Sequence, residues 1–110
     1  MRTLLHPTCE EFSLPNIFYA LGDPARLRMV AQLAATNEAI SCGDLSVVKE
    51  LPKSTGSHHF RVLREAGLIR MVPQGRSVLV SLRRDDLDER FPGLLDAVLH
   101  TYDYASHVSR

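Results

Sequence analysis

A mainly α-helical domain carrying one small β-hairpin is what the sequence predicts, on three observations. Apolar residues recur at helical spacing in several stretches, residues with capping or breaking chemistry bound those stretches, and a Pro-Gln-Gly-Arg turn separates two β-rich segments. With 110 residues and 45% hydrophobic content, the chain is long enough for one domain with its own core.

Residues 1–12 lack periodicity and read as an N-terminal arm, leaving 13–107 as the domain. A first helix is expected with Ser13 as N-cap, Pro15 in its first turn and Gly22 at its end. Asp23 as N-cap and Pro24 at the first helical position start the second, whose apolar positions are Ala25, Leu27, Met29, Val30, Leu33 and Ala34. Arg26, Arg28 and Gln32 are left for the surface or for partners. Ser41-Cys42-Gly43-Asp44 has the S-x-x-D pattern of a capping box before Leu45, Val47, Val48 and Leu51, which predicts a third helix ending at Pro52.

The stretch from Leu51 to Leu68, LPKSTGSHHFRVLREAGL, predicts a fourth helix, capped by Ser54 or Thr55 and closed by Gly67. Ser54, Ser57, His58 and Arg61 share one of its faces, while Phe60, Leu63 and Ala66 lie on another. Two helices joined by so short a turn make a helix-turn-helix. Leu68–Val72 and Ser77–Leu82 then form the hairpin, with Arg76 near its tip. Phe91, Leu94, Leu95, Val98, Leu99 and Tyr102 mark a last amphipathic helix, from Asp86 or Arg90 to Ala105. The order helix, helix, helix-turn-helix, hairpin, helix is that of a winged helix-turn-helix domain, α-α-α-α-β-β-α. In that fold the second helix of the turn enters a major groove and the hairpin touches the flanking backbone or minor groove.

Formal net charge is zero, but the charge is segregated. Residues 53–84 hold seven Lys or Arg against one acid, a net of +6, while 1–52 hold four against six and 85–110 two against six. The basic middle is the expected electrostatic footprint of a nucleic-acid partner. The last helix carries more large apolar residues than a small domain readily covers, which points to self-association about a two-fold axis; packing wholly on its own core is the alternative.

Three strings resemble the ArsR/SmtB family of small bacterial winged-helix transcription regulators: Ala20-Leu21-Gly22-Asp23-Pro24-Ala25-Arg26-Leu27-Arg28, Ser57-His58-His59-Phe60-Arg61-Val62-Leu63-Arg64-Glu65-Ala66-Gly67-Leu68, and Gly75-Arg76 before the second wing strand. The resemblance spans about residues 14–102. It implies a homodimer held by its first and last helices, through Phe18, Phe91, Leu94, Leu95, Val98, Leu99 and Tyr102, that represses by occupying a double-stranded DNA operator.

Ser54, Thr55, Ser57 and His58 supply donors for phosphates or base edges, and Arg61 suits a phosphate or a guanine. Ser54 and Thr55 could instead only cap the helix, and His59, beside Phe60, could be a hydrogen-bonded packing residue. Arg76 and Gln74 are the wing's candidates, and Lys53 and Arg64 add sequence-independent, salt-sensitive attraction. A winged-helix module that binds a protein through the same face is the reading from another class.

No cofactor is expected, and the effector is unassigned. Several family members release DNA when metal binds a cysteine pair before the recognition helix; here Cys42 stands alone. A second family site pairs Asp-x-His with His-x-x-His/Glu on the last helix. This chain offers Asp86 and Asp88 without the histidine, then His100 and Asp103, with His107 one turn on. Cys9 and Cys42 could form a redox-sensing disulfide only if their Cα atoms come within about 7 Å; the alternative is a buried, inert Cys42 and a Cys9 in the arm. There is no G-x-S-x-G elbow, Gly-rich phosphate loop or H-E-x-x-H to support an enzyme. No stretch of about 18 apolar residues or signal-peptide pattern is present, so a cytoplasmic location without membrane contact is the expectation.

Overall fold

The computed structural model describes residues 4–108, with side chains through Asp103, so His107 lies outside the described side chains. Helix α1 (Leu14–Leu21) starts where Ser13 accepts a hydrogen bond from the Asn16 amide. Helix α2 (Pro24–Thr36) follows after two residues, its first turn held by Asp23 Oδ2, which accepts from the amides of Ala25 at 2.9 Å and Arg26 at 3.1 Å. A cap of this kind is worth about 1 kcal/mol. Asn37, in the left-handed region at φ 56, closes α2.

The segment expected to be a third α-helix is not one. Strand β1 (Ile40–Ser41) leads into two 3-10 turns, Cys42–Asp44 and Val48–Glu50. The buried pair there, Leu45 and Val47, is spaced i, i+2, which no single helical face can bury; β-branched Val47 and Val48 also disfavour a helix. Ser41 caps nothing, and its hydroxyl lies 3.2 Å from that of Ser77 instead.

Helix α3 (Lys53–Ala66) begins with Pro52 at the cap position and without a side-chain cap, so Ser54 and Thr55 do not have that role. Gly67, at φ 95, ends it. Strands β2 (Ile69–Gln74) and β3 (Ser77–Leu82) form the hairpin, in register Gln74 with Ser77 and Ile69 with Leu82. Pro73 is tolerated in β2 because that strand is an edge of the three-stranded antiparallel sheet β1-β3-β2. The loop is only Gly75-Arg76, and Gly75 supplies the positive φ of 63 that a two-residue hairpin requires.

The last helix is broken. Helix α4 (Arg84–Arg90) and helix α5 (Leu94–Val108) are separated by Phe91-Pro92-Gly93. Pro92 disfavours helical geometry at Phe91 and Gly93 takes φ 82, so the apolar stripe starts anew at Leu94.

The core is one cluster that gathers Ile17 and Ala20 of α1, Met29, Val30 and Leu33 of α2, Leu45, Leu63 of α3, Leu68, Ile69, Val80 and Leu95. Phe12 belongs to it too, at 4% exposure. The chain before Ser13, expected to be an arm, is therefore seated on the domain over its described residues. Its contacts are a Cys9–Glu11 3-10 turn, the Phe12 ring against Gly67, the His6 Nε2 that accepts from the Met71 amide at 3.0 Å, and the Pro7 carbonyl that accepts from Arg83. Burying an aromatic ring of this size stabilises the fold by about 2–3 kcal/mol. Among the described residues no helix is long and apolar enough to cross a membrane.

Candidate nucleic-acid interface

Helix α3 divides sharply. Gly56, His59, Phe60, Leu63 and Ala66 are buried, whereas Lys53, Ser54, Ser57, His58 and Arg61 are exposed. Thr55 is half-buried and sits off that row. The exposed residues present one cationic ammonium, one guanidinium, an imidazole and two small hydroxyls, a set able to meet phosphates and base edges without bulk near the helix start. Gln74 and Arg76 are exposed at the hairpin tip.

The basic segment is less uniform than its sum suggests. Arg83 is 8% exposed, lies 2.9 Å from Asp86 Oδ2, and stacks its guanidinium over the Phe12 ring at 4.9 Å. Arg70 reaches the same carboxylate oxygen at 3.6 Å, and Arg84 pairs with Asp96 at 3.2 Å. Arg64 is half-buried and donates to the Leu5 carbonyl at 2.6 Å, which fixes its side chain while keeping its charge. Lys53, Arg61, Arg64 and Arg76 are the cations of this segment that make no ion pair among the described residues, and of these Lys53, Arg61 and Arg76 are exposed, on the α3 face or at the wing tip.

Behind the exposed row stands a buried polar link of which the sequence disclosed one member, His59 as a hydrogen-bonded packing residue. Arg26, expected at the surface, is 6% exposed; it donates through Nε to the Ala20 carbonyl at 2.8 Å and through Nη2 to that of Tyr19 at 3.3 Å. Its Nη1 lies 3.1 Å from His59 Nδ1, and His59 Nε2 lies 3.8 Å from Asp23 Oδ2. Burial lowers the His59 pKa; Asp23 opposes this, while Arg26 and His58 reinforce it. Burial alone would raise the Asp23 carboxyl, but the Arg26 amide and then the His59 and Arg26 charges bring it below its ordinary value. The link joins the end of α1 and the start of α2 to the back of α3. Asp-Pro-x-Arg beside a neighbouring His-His was the available signal, but charge alone assigns Arg26 to the surface. Arg28 pairs with Glu50 at 3.6 Å, and Gln32 accepts from the Ser46 amide and hydroxyl at 2.9 Å, so these side chains also hold the turn in place.

The proposed dimer surface is mixed. Phe18 is 54% exposed on α1, next to exposed Leu14 and Tyr19. Phe91, Leu94, Val98, Leu99 and Tyr102 are half-buried, but Leu95 is 3% exposed and belongs to the core of its own chain. Among the described residues no three His, Cys, Asp or Glu lie close enough to hold a metal ion. Asp86 is already engaged by Arg83 and Arg70, His100 and Asp103 are exposed, and Asp88 keeps one buried oxygen, Oδ1, without a hydrogen-bond partner among the described residues.

The two cysteines are both half-buried and line different depressions, Cys42 beside α3 and Cys9 beside Glu89 and Arg90. Partial burial, then the carboxylates of Glu89, Asp86 and Glu10, push the Cys9 thiol above its usual pKa, and its Sγ donates to the Asp86 carbonyl. A thiol so placed is a poor nucleophile.

A helix-turn-helix domain model matches residues 21–72, which run from the end of α1 into β2. An uncharacterized HTH-type transcriptional regulator of Bacillus subtilis, YceK, is 38% identical over 83 residues, 76% of this chain and 83% of that protein. A transcriptional repressor SmtB homolog of Synechocystis is 38% identical over 69 residues, 63% of this chain and 51% of its own length. The crystal structure of an ArsR family transcriptional regulator superposes with a TM-score of 0.61 at 20% identity, covering 96% of this chain and all of the other. Sequence and architecture agree, and the chain belongs to the ArsR/SmtB family of winged helix-turn-helix transcriptional regulators.

Proposed function

We propose that this regulator is a cytoplasmic repressor that occupies a double-stranded DNA operator as a homodimer and leaves it when an effector binds. The observation that carries the reading is the coincidence of unpaired charge with the exposed row. Lys53, Ser54, Ser57, His58 and Arg61 face outward on α3, Arg76 and Gln74 face outward on the wing, and the other arginines nearby are engaged. Helix α3 would enter the major groove while Arg76 reaches the flanking backbone or minor groove. Arg64 adds charge beside the row. The exposed Phe18 and the half-buried stripe from Phe91 to Tyr102 support a two-fold partner, which would set two copies of α3 about 34–36 Å apart.

The test is retardation of the DNA upstream of the protein's own gene at several salt concentrations. Salt-sensitive binding lost in Arg61→Ala and Arg76→Ala supports the reading. Absence of binding, or variants that bind as the parent does, would overturn it, and a protein partner retained by the same variants would move the face to another class of ligand. Zinc or nickel release has one support, His100 and Asp103 three residues apart on α5. Operator release by either metal that vanishes in His100→Ala would sustain that branch.

A further inference from the structure

Alongside the exposed row of α3 runs a cleft of about 600 Å³. Its position follows from the fold: α3 forms one wall, the wing strands β2 and β3 the opposite one, and the 3-10 turns after β1 close an end. Val48, Phe60, Met71 and Val78 make the surface apolar. Lys53, Arg61 and Arg64 stand in the lining, and among the described residues no acidic one does. The volume lies in the range of about 300–1,000 Å³ usual for small-molecule sites. An apolar chamber whose only formal charges are positive matches one chemistry, a small organic anion with an apolar body.

We propose that this cleft binds a medium-chain or aryl carboxylate, apolar portion inward against Phe60, Met71 and Val78 and carboxylate toward Lys53 and Arg61, and that the bound anion displaces DNA. The inference rests on the operator-binding reading for its regulatory half. Lys53, Ser57 and Arg61 belong both to the cleft lining and to the exposed row, so a carboxylate there neutralises the cations that a phosphate would need and occupies the space beside them. Anion and DNA are then mutually exclusive without any change of shape. A purely apolar molecule would leave the three cations unmatched, and an inorganic anion would leave the apolar wall wet.

Decanoate is the probe, with decanol as its uncharged counterpart, added below its micelle concentration to the full chain carrying Cys9→Ser. Calorimetry without DNA is expected to show saturable decanoate binding, with decanol weaker by at least about tenfold because it forgoes the charge-assisted hydrogen bonds. Alkylation of Cys42, which lines the cleft, should slow as decanoate saturates. Two variants leave the proposed DNA contacts intact. Gly43→Leu adds a side chain where a Cβ meets no atom within 4 Å, and Val78→Phe fills the apolar wall. Each should weaken decanoate binding about tenfold or more while operator retardation is kept. In the parent, decanoate but not decanol should release operator. Equal binding of acid and alcohol, or unchanged affinity in both folded variants, would overturn the proposal. Cys42 protection that rises with protein concentration and ignores decanoate would assign the cleft to a second copy of the chain, and overturn it too. Because decanoate binding is read without DNA, failure of the operator reading leaves the cleft's own result standing.

Discussion

One nitrogen of the buried Arg26 guanidinium, Nη1, lies 3.1 Å from Nδ1 of His59, so α2 and α3 meet through a single side-chain hydrogen bond. Arginine can only donate, which makes Nδ1 the acceptor and puts the imidazole proton on Nε2, toward Asp23. Replacing Arg26 by Met strands the Ala20 and Tyr19 carbonyls and the His59 ring together, and should cost about 3 kcal/mol in urea denaturation. His59→Phe should cost less, and the double variant should lose less than the sum of the two. Strict additivity would show that the contact carries no energy of its own.

Gly67 admits no side chain. At φ 95 it is strained for any L residue, and a Cβ there would lie 2.2 Å from Phe12 Cε1. Gly67→Ala should therefore lose more than the roughly 1–2 kcal/mol of left-handed strain, because the Phe12 ring must also move. In a Phe12→Leu background the same substitution should cost only the strain. Thermal melts of the four proteins give the comparison.

The seat of the N-terminal segment is pH-sensitive. Burial, then the positive charges of Arg70, Arg64 and Arg83, hold the His6 pKa below its ordinary 6.5, against a hydrogen bond that the ring donates to the Leu4 backbone, which raises it. Protonation removes the lone pair that accepts the Met71 amide. The native pKa lies below the unfolded one, so the unfolded state binds more protons between the two. This contribution is full above pH 6.5 and is lost as the pH falls through the lowered native value. Stability measured from pH 7.5 downward should show that loss. His6→Gln, which keeps an acceptor without titrating, should flatten it; a remaining slope is expected from His59 and, at lower pH, from Asp23, whose pKa values are shifted in the same direction.

Salt titration of operator binding should sort the cations. Lys53→Ala and Arg76→Ala should each reduce the slope of log affinity against log salt by about 0.9, the value for one lost phosphate contact. Arg84→Ala should leave the slope unchanged, since that guanidinium already faces Asp96. Equal effects at all three positions would mean that the ion pairs do not sequester charge.

The α1 surface offers a direct check on assembly. Phe18→Glu places a charge at a position 54% exposed in the single chain, so the monomer should keep its melting temperature at low concentration. If the proposed dimer forms through α1, sedimentation should nonetheless show this variant as a monomer. A dimer that survives the substitution puts its interface elsewhere.

The fold was legible wherever local chemistry decides it. Ser13, Asp23-Pro24 and Gly67 bound helices at the positions their side chains or missing Cβ dictate, and the φ demand of Gly75 fixes the hairpin loop. The misreadings came where tertiary packing decided instead. S-x-x-D before Leu45 has a cap's composition, but burying both Leu45 and Val47 requires an extended step. Periodicity through Phe91 concealed the Pro92-Gly93 break. In the candidate interface, the exposed residues of α3 followed from helical spacing alone. That Arg83 and Arg26 would be buried did not, because a cation's location depends on which carbonyls, carboxylates and rings the fold brings to it, and for Arg83 the Pro7 carbonyl and the Phe12 ring come from more than seventy positions away.

Strand β1 is two residues long, yet under the proposed operator reading it would decide what must deform on binding. Ile40 and Ser41 pair with Val80 and Leu79 of β3, so the inner strand of the wing is hydrogen-bonded on both edges and tied to the turn that precedes α3. A wing held on one side only could swing to suit the groove it meets. Held on both, it keeps Arg76 in a set relation to α3, and under that reading the adjustment would pass to the duplex. Operators whose steps bend or narrow easily between the two contacts would then be preferred at base pairs that no side chain touches.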